Sequence, residues 1–104
     1  MEWRNWQWNW QATGNTISFQ AKLFEGTNII EFIYRQEAGA VSNTTSGASI
    51  GLAGATTGAG NYLSLNGTGG SPTASSTTET TSLATKPATG QIYRFTPPIA
   101  CTSL

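Results

Sequence analysis

The sequence has no histidine and no aspartate among its 104 residues. Those two absences remove the commonest general base and most metal-ligand combinations. The single cysteine, Cys101, has no partner for an internal disulfide and no histidine to activate its thiol. It lies beyond Pro97-Pro98, where a free thiol and a bond to other sequence are both open readings. Charge is scarce as well: 10% of residues are charged and the formal balance is zero, against about 25% in typical soluble domains. With no basic run, the electrostatic footprint of a nucleic-acid binder is missing. There is no apolar run of spanning length and no signal-peptide pattern, so membrane insertion is not expected.

The remaining candidates for chemistry are few. Glutamates stand at positions 2, 25, 31, 37 and 79, and a glycosidase would need two of them to flank one bond. Scattered over strand, turn and loop, they read as surface charge. Gly51 to Gly60 is glycine-rich but lacks the Gly-Lys-Ser/Thr ending and following helix of a phosphate loop. The expectation is a non-enzyme, with no catalytic, cofactor-binding or metal-ligating residues.

What the chain does hold is hydroxyls, amides and aromatics. Abundant Thr, Ser, Gly and Asn suit a neutral, hydrated surface of extracellular type, and four Trp, four Phe and three Tyr argue against disorder throughout. One domain is expected at this length. The clearest pattern runs from Thr16 to Arg35. Ile17, Phe19, Ala21 and Leu23 alternate with Ser18, Gln20 and Lys22; a polar turn follows at Glu25-Gly26-Thr27-Asn28; then Ile30, Phe32 and Tyr34 alternate with Ile29, Glu31, Ile33 and Arg35. Two period-two runs about a short turn predict a β-hairpin. Because its second strand is apolar on both faces, that strand is expected to be central, with Lys22 paired to Glu31 across the hairpin.

Further strands are expected around Ala48–Gly54, at Tyr62–Leu65 before the Asn66-Gly67 turn, and at Gln91–Thr96. The small residues of the first suggest close approach of another segment. Residues 36–47 read as a loop. Residues 68–85 are Ser/Thr-rich with Leu83 as the one large apolar side chain, and read as a long surface excursion partly ordered by hydroxyl-to-backbone bonds. Asn43-Thr44-Thr45 and Asn66-Gly67-Thr68 are glycosylation sequons that a Thr-rich chain produces readily by chance. Nothing carries a helical period.

Trp6, Trp8 and Trp10 recur at period two between Gln7 and Asn9, which predicts a strand over residues 2–10 with one aromatic face. Trp3 is out of phase, so a bulge is expected near Arg4-Asn5. These three indoles are the candidate ligand or interface residues. They would either stack on sugar rings or fill a core or intersubunit contact, and burial favours packing.

The hairpin, Ala48-Ser49-Ile50-Gly51-Leu52 and Gly90-Gln91-Ile92-Tyr93-Arg94-Phe95 together resemble a module of secreted multidomain surface proteins of Bacteroidota, which accompany fibronectin-type repeats and a sorting domain. A looser similarity to nidogen-like extracellular domains rests on the Phe19-Gln20 strand. The resemblance implies extracellular placement and carries no catalytic residues. Members of the resembled module have strands ahead of the position of Trp3, so the chain looks like the C-terminal portion, leaving an edge that a truncation or a second copy would explain. Met1 leads at once into strand-like Glu2-Trp3, which favours a domain of a longer secreted polypeptide over a cytosolic protein. The expected architecture is all-β, an antiparallel β-sandwich, jelly-roll-like, over residues 1–96, with 97–104 as linker or tail. The expected role is a structural or adhesive module at the cell surface; the alternatives are a self-associating subunit of an oligomer or fibre, and a carbohydrate-binding module. Expected partners are other protein chains, copies of itself or glycans.

Overall fold

A computed structural model describes residues 1–41 and 47–98. The Asn43 sequon and Cys101 lie outside the described residues. Seven strands and no helix make up the described chain: β1 (Glu2–Trp6), β2 (Ile17–Leu23), β3 (Ile30–Gln36), β4 (Gly51–Ala53), β5 (Tyr62–Leu65), β6 (Ala74–Ser75) and β7 (Ile92–Phe95). They form a four-stranded sheet in the order β1-β2-β3-β7 and a three-stranded sheet in the order β4-β5-β6, with every pairing antiparallel. This is the expected all-β, two-sheet architecture of a β-sandwich.

The hairpin is the centre of the larger sheet. Its register runs from Ile17 opposite Gln36 to Leu23 opposite Ile30. The connection closes where the Phe24 amide donates to Ile29 O and the Asn28 amide to Phe24 O, each at 2.9 Å. Gly26 (φ 88°) and Asn28 (φ 57°) take left-handed backbone there, conformations that glycine and asparagine adopt at least cost. Strand β3 lies between β2 and β7, as its two apolar faces predict.

Alternation then puts one residue set into the interior. Phe19 meets Tyr34 across β2 and β3, and Phe32 meets Tyr93 across β3 and β7. The result is a row of rings over the sheet: Trp3 stacks on Phe19 at 4.8 Å, Phe19 lies 6.0 Å from Tyr34, and Tyr34 meets Tyr93 edge-on at 5.7 Å. Offset and edge-on geometries of this kind add to the apolar burial itself. Ile50, Leu65 and Leu83 close the core from the other side together with Trp8.

One expectation is refined and one is corrected. Lys22 does stand opposite Glu31, but the buried Glu31 carboxylate takes its ion pair from Arg94 on β7, at 2.6 Å. An arginine fork on the neighbouring strand satisfies a carboxylate oxygen by two donors. The excursion at 68–85 is also not without elements: β6 pairs with β5, and Leu83 bridges to Ala48. Its hydroxyls order it as expected, with Ser75 Oγ accepting the Thr77 and Thr78 amides and the buried Ser64 Oγ accepting the Thr80 amide at 2.9 Å. Close approach at the small-residue strand is real too. A Cβ on Gly51 would sit 2.0 Å from Leu63 O, so no side chain fits there without displacing β5.

Candidate functional site

The three candidate tryptophans do not share a face. Strand β1 stops at Trp6, and the register slips between Trp3 and Trp6 around Asn5, whose φ of 60° marks the bulge. A bulge re-aims the side chains that follow it. Residues 7–12 then coil tightly, with Gln7 Nε2 donating to Ala12 O at 2.9 Å and the Ala12 amide to Asn9 O at 3.0 Å. That coil drives Trp8 inward while Trp6 and Trp10 remain 55% and 77% exposed.

Trp8 is anchored at two points. Its indole Nε1–H donates to Leu83 O at 2.6 Å, and its amide donates to Thr16 Oγ1. Thr16 is fully buried, and its hydroxyl also reaches Trp6 O at 3.1 Å while its amide donates to the same carbonyl at 2.9 Å. One hydroxyl thus fastens the coil after β1 to the start of β2. An indole buried this way needs an acceptor for its N–H, and Leu83, brought in from 75 residues away by its bridge to Ala48, supplies it.

Beside this anchor a cleft of about 440 Å³ opens between the sheets. Trp3, Trp6, Gln7 and Trp8 wall it on one side, Ile17, Phe19, Ala21, Phe32 and Tyr34 form its floor, and residues 48–51 form the opposite wall. Trp6 and Trp8 of the three candidates reach it; Trp10 does not line it. The residues that the period-two reading missed are Trp3 and the inward aromatics of β2 and β3. Their signal was present in the hairpin alternation, which places Phe19 and Phe32 on one face, but the second wall comes from a distant segment.

The cleft suits apolar and aromatic contact rather than proton transfer. Among the described residues that line it the one titratable side chain is Tyr34, and burial, reinforced by Tyr93 nearby, pushes that phenol far above the ordinary tyrosine value. Tyr93 is likewise raised by burial, and its hydroxyl donates to Gly69 O at 3.0 Å. Both phenols are therefore neutral and unavailable as bases near neutral pH. Glu37, held below the usual carboxylate range first by its bond from Ser18 Oγ and then by Arg35, belongs to the outer surface and does not line the cleft. Among the described residues no group of three or more His, Cys, Asp or Glu side chains is arranged to hold a metal ion.

Against known proteins, a family model described as NIDO related matches residues 1–97, nearly the whole chain. The chain belongs to the NIDO-related family, a domain type found in extracellular proteins. No curated protein and no solved structure matches it. No helix among the described residues is long and apolar enough to cross a membrane.

Proposed function

From membership of the NIDO-related family we propose that the chain is a non-catalytic structural or adhesive module of an extracellular protein. The family match over residues 1–97 is the observation that carries this reading. The cleft supports it: its lining is mostly aromatic and aliphatic, with Gln7 and Ser49 as its polar side chains besides Tyr34, and the tyrosine in its floor is held neutral. Such a surface recognises by shape and apolar contact. The finer setting, a bacterial surface protein of Bacteroidota, rests on the motif resemblance of the hairpin, residues 48–52 and residues 90–95.

Labelling intact cells that produce the protein with an antibody to this domain tests the reading, together with competition of cell adhesion by the purified domain. Surface labelling removed by external protease, with adhesion reduced by the free domain, is the expected result. Labelling that needs cell lysis would overturn it. Carbohydrate binding is the second reading, favoured by one observation: Trp6 is exposed at the rim of the cleft. Binding on a glycan array that is lost in Trp6→Ala is expected under it, and no binding by the parent chain would exclude it.

A further inference from the structure

Among the described residues the four-stranded sheet ends at β1, and the ladder shows which backbone groups that edge leaves open. The Met1 amine donates to Ala21 O and the Ala21 amide donates to Met1 O, both at 2.9 Å. In an antiparallel pair, residues exchanging bonds in this way alternate with residues whose N–H and C=O turn away from the partner strand. Trp3 therefore faces β2 opposite Phe19, while Glu2 and Arg4 turn their backbone groups to the open edge ahead of the bulge at Asn5. Their side chains pair with each other at 2.8 Å and are exposed, Arg4 at 68% and Glu2 at 41%.

Charges on an edge strand ordinarily discourage pairing with another chain. Their order here does the opposite for one arrangement. A two-fold axis normal to the sheet, midway between the Trp3 residues of two copies, sets their β1 strands antiparallel and places each Glu2 opposite the Arg4 of the other copy. That register makes the Glu2 and Arg4 positions the hydrogen-bonded pairs, which is the parity their free backbone groups require. It also sets the two Trp3 residues opposite each other on the cleft side, at the close spacing of a non-hydrogen-bonded pair. We infer that the chain pairs with a second copy of itself through β1, joining two four-stranded sheets edge to edge across a two-fold. The contact is isologous, so it closes as a dimer. It does not depend on the extracellular reading above.

The test is a charge-reversal mixing experiment on the full chain, read by light scattering and sedimentation over a concentration series. The parent chain is expected to associate to twice its 11.0 kDa mass. Glu2→Arg sets arginine against arginine across the two-fold, and Arg4→Glu sets glutamate against glutamate; each is expected to lose the dimer. An equimolar mixture of the two variants restores opposite charges at both positions and is expected to recover a one-to-one heterodimer. Circular dichroism of each variant alone checks that the fold is kept, and the mixture shows association even if one variant is less stable. A parent chain that stays monomeric to its solubility limit would overturn the inference. So would single variants that dimerise like the parent, or a mixture that remains monomeric.

Discussion

Replacing Thr16 with valine is the sharpest probe of how the cleft is held. Thr16 has no exposed surface, and its hydroxyl accepts the Trp8 amide while reaching Trp6 O at 3.1 Å. Valine has nearly the same shape and sits at the entry of β2, where strand preference alone favours it. The physical cost lies in the Trp8 amide, which is left buried with no acceptor. Such a group costs about 1–3 kcal/mol. Trp6 O keeps the Thr16 amide as a donor, so it adds little. For a domain of this size about 1 kcal/mol shifts the melting temperature by roughly 4–8 °C, so Thr16→Val is expected to melt roughly 4–24 °C below the parent. Thr16→Ser keeps the hydroxyl and loses one methyl, about 0.8 kcal/mol of apolar burial before any cavity cost. The expected order is therefore parent, then serine, then valine, measured by urea and thermal unfolding followed by tryptophan fluorescence. A valine variant as stable as the parent, or more stable than the serine variant, would refute the role given to the hydroxyl.

Two further outcomes follow from the packing and the buried phenols. Gly51→Ala is expected to cost about 1–3 kcal/mol by overpacking, because its Cβ would lie 2.0 Å from Leu63 O, whereas Gly67→Ala, with nothing within 4 Å, should be close to neutral; equal melting temperatures would contradict the β4–β5 contact. At alkaline pH, Tyr34 and Tyr93 have folded-state values raised above the ordinary 10.0 by burial. Their contribution to stability is fully present below pH 10.0 and is lost as pH rises toward the folded-state values. Phenolate absorbance should thus show Tyr34 ionising together with unfolding, and Tyr34→Phe should flatten the alkaline loss. A Tyr34 that ionises near pH 10 in the intact fold would count against its burial.

How far each feature was legible depends on the range of the interaction behind it. The hairpin from Thr16 to Arg35 was readable because alternation and the Gly26–Asn28 turn act between neighbours in sequence. The same reasoning misread residues 7–10. Three tryptophans at period two look like a strand, but Asn5 enters the left-handed region and the ladder stops at Trp6. What competes with the pattern is a buried acceptor, Leu83 O, that lies 75 residues further on. Lys22 stands opposite Glu31 as the hairpin register implies, but the partner that pairs with the carboxylate, Arg94, arrives on a strand more than sixty residues later and has no local signal.

The class of the fold, the central hairpin and the scarcity of groups suited to chemistry are readable without coordinates, since they follow from composition and from contacts a few residues apart. Tertiary structure alone decided which aromatics face the cleft, what anchors Trp8, and that β1 ends a sheet with Glu2 and Arg4 turned outward. Those features depend on where distant segments meet. The energy that selects among such meetings is apolar burial together with the need of each buried N–H for an acceptor. Neither is set by local pattern.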